Sequence, residues 1–350
     1  MDGLRDKHGS YSEELKSKLR EQEKMFSEYR KSHGKLEVFF EQVIQAITPY
    51  PNVRRTVSRR GGERTGKSCV QVAQVSDWHM GEVQVRDEIE GFNEFNPTIC
   101  RERALTFAQK LVDRVDLQRN NFTVDDIHII CTGDMISGDI HQELKVTNEW
   151  PVPVQVVEAG ELFAEFIYNL APHYKRVVVH YLVNDNHSRL ERKPQSKQEG
   201  LNSHNYTVGK IAEIRLSGIK HVEFNLYPMY EKVIEVNGMQ YLITHGHNLR
   251  GWMGIPWYSY QRHVGKEAMS RMSLIMNSPD IKSAAAKIGF HKMMTGHFHT
   301  PFNHPLYSCC GSLSGTSAYD HKDGRFADPS QSGWFNHAKY GEFDRTDFRL

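Results

Sequence analysis

Val75-Ser76-Asp77-Trp78-His79-Met80-Gly81 is the stretch on which the reading of this chain turns. It follows a run of strand formers, Cys69-Val70-Gln71-Val72-Ala73-Gln74-Val75, so a carboxylate and an imidazole two residues apart stand where a buried strand leaves its sheet. Alternate residues of an extended chain point the same way, which lets Asp77 and His79 reach one cation with Trp78 turned aside. Alone, the triplet is weak, because such a pair more often makes a surface hydrogen bond. Its meaning depends on what the other strand ends deliver.

Downstream, strand and helix signals alternate. A helix over 101–118 carries Ala104, Ala108, Leu111, Val112 and Val115 on one face, and a strand over 127–132 ends in Gly133-Asp134. A helix over 155–171 buries Phe163, Phe166, Ile167 and Leu170, and a strand over 176–183 ends in Asn184-Asp185-Asn186-His187. Such alternation implies parallel β-α-β crossovers with ligands beyond the carboxyl ends of the strands. Strands follow over 222–226 and 230–236, the second joined through Asn237-Gly238 to a strand over 239–244 that runs into His245-Gly246-His247. A helical insertion spans 256–287, residues 292–295 lead into Gly296-His297-Phe298-His299, and 310–316 reads as a turn. The tail over 321–350 is polar with no clear period.

Upstream, Leu15, Leu19, Gln22, Phe26, Tyr29, His33, Leu36, Phe40, Val43 and Ile47 alternate spacings of four and three, an amphipathic or coiled-coil seam that Gln22 and His33 weaken. Residues 1–51 are therefore expected to form a helical arm that packs on the chain's own domain, with a homodimer or partner-protein contact as the alternative. A basic linker over 52–68 contains Gly61-Gly62-Glu63-Arg64-Thr65-Gly66-Lys67-Ser68, which matches the P-loop letter for letter. That motif needs a buried strand before it and a helix after it to receive phosphate. Here arginines precede and a valine-rich strand follows, so the match is set aside. The main domain is expected over 69–320, with 248–287 inserted and 321–350 as its tail.

The chain has 350 residues, a formal charge of +1 and the composition of an ordinary globular protein, long enough for one large domain with additions. That charge gives no global field for nucleic acid, so any such binding needs a local basic patch. Five cysteines without a CxxC pair fit a reducing compartment rather than a disulfide framework or a zinc knuckle. Neither a signal peptide nor a membrane span is legible, and the expectation is a cytoplasmic protein with no membrane partner.

Five strand ends deliver metal-type residues: Asp77 and His79, Asp134, Asn186 and His187, His245, and His297 with His299. The order DxH, GD, NH, HGH, GHxH over residues 70–315 resembles the calcineurin-like metallophosphoesterases. That resemblance implies a four-layer α/β sandwich of αββα type holding two divalent ions, here with an N-terminal helical arm added. Within the family, Ser76-Asp77-Trp78-His79-Met80-Gly81, Gly296-His297-Phe298-His299 and Cys310-Gly311-Ser312 look most like bacterial double-strand-break repair nuclease subunits. The stretch from Gly133-Asp134 to Leu144 is similar to phage-borne members, which would place the protein in a host cytoplasm.

Carried over residue by residue, the resemblance gives Asp77, His79, Asp134 and His299 to a first metal and makes Asp134 the bridge to a second, completed by Asn186, His245 and His297. The residue types agree, since a carboxylate can join two ions about 4 Å apart and two carboxylates leave such a site positive for phosphate. Oxygen and imidazole donors without cysteine suit Mn²⁺, with Fe²⁺ or Zn²⁺ as alternatives. His187 is implied as the group that stabilises the phosphate and protonates the leaving alkoxide, and His247 is expected to face substrate, although a histidine beside a metal shell often only orients a ligand. Two departures stand out. Asp185 replaces the usual glycine before Asn186 while Ser188 follows His187, and Ser137 stands where an acidic residue is usual, with Asp139 nearby.

After the HGH ligand, the segment from Asn248 to His263 interleaves rings and cations. Arg250, Trp252, Trp257 and Arg262 are the expected contacts for a single-stranded or frayed nucleic acid. The bland alternative is an apolar cap over the sandwich. A DNA nuclease is the leading expectation, ahead of a small-substrate phosphatase or nucleotide phosphodiesterase, and ahead of a non-catalytic nucleic-acid-binding protein.

Overall fold

A computed structural model describes residues 38–56, 68–191, 193, 200–250, 256–322 and 324–350. The chain divides into two compact units, Met1–Thr48 and Pro49–Leu350. In the first, the described residues form a helix, α1, over 38–46. Most of the arm expected over 1–51, with its seam up to Leu36, lies outside the described residues, as do 57–67 of the linker. Ser68, which would begin a P-loop helix, instead begins a strand.

Two sheets make the second unit. The first has six strands in the order β11-β10-β1-β2-β3-β4, with β1 Ser68–Val75, β2 Thr123–Cys131, β3 Arg176–Leu182, β4 Val222–Tyr227, β10 Ser330–His337 and β11 Gly341–Arg349. Strands β1 to β4 run parallel, and β10 pairs antiparallel with both β1 and β11. The second has the order β5-β6-β7-β9-β8, with β5 Glu231–Val236, β6 Met239–Thr244, β7 Lys292–Thr295, β8 Phe302–Asn303 and β9 Tyr307–Cys309. The Asn237-Gly238 hairpin forms as expected, with both residues in the left-handed region that a tight turn requires.

The strands read as near-continuous apolar runs because both faces are covered. Val72, Ile130, Leu182 and Trp334 of the first sheet meet Ile234, Val236, Tyr241, Ile243 and Met294 of the second in a dry core between them. Behind the first sheet lie α2 (Pro97–Gln118), α4 (Val152–Leu170) and α5 (His204–Leu216). Phe163 of α4 meets Tyr181 edge-on, and Gly209 of α5 passes so close to Tyr181 and Leu226 that a Cβ there would collide with both. Between α2 and α4 runs a single turn, α3 (Leu144–Thr147). Behind the second sheet, Tyr260 and Val264 of α6 (Trp257–Met276) pack on Leu242, Met293 and Tyr307, followed by α7 (Ile281–Ile288) and later α8 (Ala318–Lys322). Helix, sheet, sheet, helix is the four-layer α/β sandwich that the motif order implies. No described helix is long and apolar enough to cross a membrane.

The 321–350 tail corrects the sequence reading. It supplies β10 and β11, and β10 is buried along its whole length beside β1. Its polar letters conceal this, because the buried side chains are spent on hydrogen bonds. Gln331 alone accepts from Ser76 N and Trp78 Nε1 and donates to Ser76 O and Gly311 O.

Candidate metal centre

All five ligand-bearing loops leave the same end of the two sheets. Asp77 and His79 follow β1, Asp134 follows β2, Asn186 and His187 follow β3, His245 follows β6, and His297 and His299 follow β7. Their side chains converge as Asp77, His79 and His299, as His79, Asp134 and His187, and as Asp134, His245 and His297, each trio with donor atoms within 4.8 Å of one another. Asp134 and His79 are shared between groups, so the trios form one connected cluster.

The local backbone differs from the extended geometry expected from alternation. Asp77, His79, Asp134, His297 and His299 all have φ between 48° and 72°, in the left-handed region that side chains rarely adopt. Asp77 and His79 reach the same region by this double turn, and Trp78 is thrown into the core against Phe163 and Phe166. Non-glycine residues held there cost of order 1–3 kcal/mol each and persist where the surroundings over-determine them. The determinants are visible. Asp77 N donates to Gly133 O, His79 N to Asp134 O, and His297 N to both carboxylate oxygens of Asp77 at 3.1 and 3.0 Å. Gly296 must be glycine, because a Cβ would lie 1.9 Å from Ser76 Oγ and 2.4 Å from Asp77 Oδ2.

For His245 and His299 a hydrogen bond fixes which ring nitrogen faces the cluster. Nδ1 of His245 lies 2.8 Å from Thr132 O, an acceptor only, so that nitrogen carries hydrogen and Nε2 faces Asp134 Oδ2 at 3.0 Å and Asn186 Oδ1 at 2.9 Å. Nδ1 of His299 donates to Asp320 Oδ2 at 2.9 Å, leaving Nε2 3.1 Å from His79 Nε2 and 3.6 Å from Asp77 Oδ1. Imidazole and carboxylate donors thus converge in overlapping trios, a setting suited to positive charge. Such a donor set fits divalent ions of the borderline kind. Burial would lower His245, but the Asp134 carboxylate drives it up to about 10; Asp320 likewise drives His299 up to about 9 against its burial. Asp134, which burial alone would raise, is held well below the usual carboxylate range by His245 and His187, and Asp77 is raised by burial. His79 and His297 are pushed well below the ordinary histidine value, chiefly by burial.

His187 hangs over Asp134. Its amide donates to Asp134 Oδ1 at 3.0 Å, its Nδ1 donates to Ser137 O at 2.7 Å, and its ring meets His79 edge-on at 4.6 Å. The Ser137 carbonyl keeps hydrogen on Nδ1 in either charge state, so proton exchange is confined to Nε2. That explains one departure from the motif: the backbone of residue 137 orients the ring whatever its side chain, while Asp139 turns away to Lys145 at 3.2 Å. The other departure is also built in. Asp185 accepts from Asp134 N at 2.8 Å, Ser188 N at 2.9 Å and Ser188 Oγ at 3.1 Å, and burial beside Asp134 raises it to about 7.

Of the expected substrate contacts, His247 lies beside the cluster, 5.6 Å from the His245 ring and edge-on to Tyr230 at 5.8 Å, with both ring nitrogens buried and unpartnered. Burial and the charge of His245 push it down to about 3. Arg250 and Arg262 line a cavity of about 440 Å³ with Tyr230, His263 and Lys266, but none of the metal-type residues above lines it. Trp257 packs edge-on against Phe302 at 4.4 Å, and Trp252 lies outside the described residues. The structure thus joins the apolar-cap reading with a cavity of mixed charge, lined by Arg250, Arg262 and Lys266 together with Glu231 and Glu267.

Sequence reasoning missed Asp320 and Arg189. Asp320 sits on the short helix α8 and has no motif around it; only its distance in space from His299 reveals it. Arg189 is placed so that its charge reaches both His141 and His247, its Nε is buried without a hydrogen-bond partner, and no carboxylate among the described residues pairs with it. Its position two residues after His187 was the only signal.

No family model matches the chain, and no curated protein matches it. Among solved structures it is similar to a single-mutant form of Vps29 from Entamoeba histolytica, at 12% identity over 80% of this chain and 99% of that one with a TM-score of 0.28. It is also similar to a conserved uncharacterized protein from Streptococcus pneumoniae TIGR4 described as a predicted phosphoesterase, at 10% identity over 81% and 99% with a TM-score of 0.25. The architecture itself stands on the strand order and the two cores.

Proposed function

We propose that the chain is a dinuclear-metal-dependent phosphodiesterase acting on DNA, with Mn²⁺ as its ion. The observation that supports this is the sharing of donors between trios: Asp134 groups with His79 and His187 and again with His245 and His297, while His79 also groups with Asp77 and His299, and Asn186 Oδ1 lies 2.9 Å from His245 Nε2. Two divalent ions bound there would supply the positive charge that polarises a phosphoryl group and acidifies water. The chain's residues do the rest. Asp134 and Asp77 neutralise part of that charge, and the Thr132 and Asp320 hydrogen bonds hold His245 and His299 in the ligating tautomer. His187 presents Nε2 to the leaving oxygen and delivers a proton there, while Ser137 O holds the ring in place. Arg189, whose charge reaches His141 and His247, favours an anionic substrate.

The test is to incubate the purified protein plus Mn²⁺ with single- and double-stranded DNA, a generic phosphodiester and a generic phosphomonoester. Hydrolysis of DNA and diester is expected. Activity confined to the monoester would overturn the nuclease reading, and activity that survives a chelator or Asp134→Ala would overturn the metal dependence. A small nucleotide as substrate is favoured by one feature only, the cavity of about 440 Å³ between Tyr230 and Arg262, and the same assay with a dinucleotide separates the two.

A further inference from the structure

Helix α6 is twenty residues long, yet only Tyr260, Val264 and Ile275 of it are buried. Its apolar hold on the second sheet is thin for that length, so polar contacts along its inner side carry more of the attachment. His263 and Glu267, four residues apart, stand one above the other on a helix face. Both meet Glu231, the first residue of β5, which is an edge strand of that sheet. One donor atom from each of the three lies within 4.8 Å of the others, and none of the three belongs to the centre built by the strand-end loops.

This trio is short of positive charge. Its side chains keep only 18–19% of their surface exposed, a setting in which charged groups need partners. Arg271 supplies one, pairing through Nη2 with Glu231 Oε1 and through Nε with Glu267 Oε2 at 3.5 Å. One guanidinium against two carboxylates leaves a negative charge over. Burial, and then the neighbouring Glu267, raise Glu231 to about 7 against the pull of Arg271. A second observation points to what is missing. Glu231 Oε2 and His263 Nε2 face each other at 4.0 Å, both atoms buried and neither with a hydrogen-bond partner. No direct hydrogen bond spans that gap, whereas a zinc ion, bonded to imidazole nitrogen and carboxylate oxygen at about 2.0–2.2 Å, does. Burial also lowers His263, which keeps the imidazole neutral, as a ligand must be.

We propose that Glu231, His263 and Glu267 bind a zinc ion that fastens helix α6 to strand β5. The site is separate from the candidate metal centre and does not depend on the phosphodiesterase reading. Zn²⁺ takes nitrogen and oxygen donors in a tetrahedron and tolerates an open fourth position, whereas Mg²⁺ and Ca²⁺ favour oxygen alone. The fourth position has room here, because all three residues line the cavity of about 440 Å³. Arg271 then holds the carboxylates in place without touching the ion, as groups around a metal shell commonly do.

The experiment measures zinc retained by the full chain after dialysis against buffered Zn²⁺, in the wild type and in His263→Gln and Glu267→Gln. Each variant is expected to hold about one equivalent less than the wild type. Asp134→Ala, which disables the other centre, should still hold zinc at this site, and His263→Gln added to it should remove that zinc. Zinc should also raise the midpoint of thermal unfolding of Asp134→Ala, and the added His263→Gln should abolish the rise. Equal zinc in the wild type and in the variants, with circular dichroism showing them folded, overturns the site and leaves Arg271 as the sole counter-ion of the two carboxylates. Loss of all bound zinc in Asp134→Ala alone overturns it as well. If one of the two glutamine variants does not fold, the other decides.

Discussion

At the scale of single residues, the centre separates groups that hold charge from groups that hold geometry, and their substitutions should differ in kind. His187→Ala should keep its metal content and lose turnover by roughly 10²–10⁴-fold, since the ring is placed over Asp134 by its own amide and by Ser137 O. Metal analysis beside the activity assay checks this, and loss of metal would mark the residue as structural. Asp320→Ala should weaken metal affinity by about 10–100-fold without touching an ion, because His299 loses the acceptor that fixes its tautomer. The pH dependence has a definite sign. His245 and His299, at about 10 and about 9, both carry protons at neutral pH when no metal competes. Metal uptake must displace those protons, so calorimetry at pH 7 in buffers of different ionisation heat should show proton release, and affinity should rise with pH toward 9. In chelated protein the same two groups, raised above the ~6.5 of an unfolded chain, stabilise fully below that pH, and the contribution is lost as pH climbs through 9 to 10. The candidate ligands were legible residue by residue because chemistry restricts what can bind a cation. Asp320 was not, because a carboxylate that acts through a neighbouring ring leaves no trace in spacing.

At the scale of elements, the strands and helices that alternate apolar faces were legible from 69 to 244 within a few residues, but α5 went unread, and β10 was mistaken for tail. Helix α5 has almost no apolar periodicity to read: Asn205 and His204 are buried, and Asn205 spends its side chain on Tyr181 and on the Leu182 and Val183 carbonyls. Strand β10 hides for the same reason, with Gln331 bonded to both backbone groups of Ser76, to the Trp78 indole and to Gly311 O. Gln331→Leu keeps the volume and strands Ser76 N, Trp78 Nε1 and two carbonyls, so a loss of roughly 1–3 kcal/mol or more is expected in denaturant unfolding, together with weaker metal binding. The turn after β2 is equally exacting. A Cβ at Gly133, where φ is 105°, would stand 2.8 Å from the Asp185 Cβ, and Gly133→Ala should cost about 1–3 kcal/mol by the same measurement. Alternation predicted that Asp77 and His79 share a direction; the backbone achieves it by left-handed residues, which no pattern of letters announces.

At the scale of the molecule, the donors divide between the sheets: Asp77, His79, Asp134, Asn186 and His187 come from the first, and His245, His297 and His299 from the second. A cation held by both is a cross-link between two layers joined otherwise by an apolar core. Mn²⁺ at a hundredfold excess over its dissociation constant should add about 2.7 kcal/mol of stability. The midpoint of thermal unfolding should then rise by roughly 5 °C or more, and a chelator should reverse the shift. The position of β10 carries a different consequence, one of timing. Strand β1 is flanked on one side by β2, which follows it closely in the chain, and on the other by β10, made some two hundred and sixty residues later. A ribosome building this chain therefore releases the first ligand loop long before the strand that braces it. Until residues 330–337 emerge, β1 offers an open edge, a natural foothold for a chaperone and a natural point of mispairing for a stalled or shortened chain.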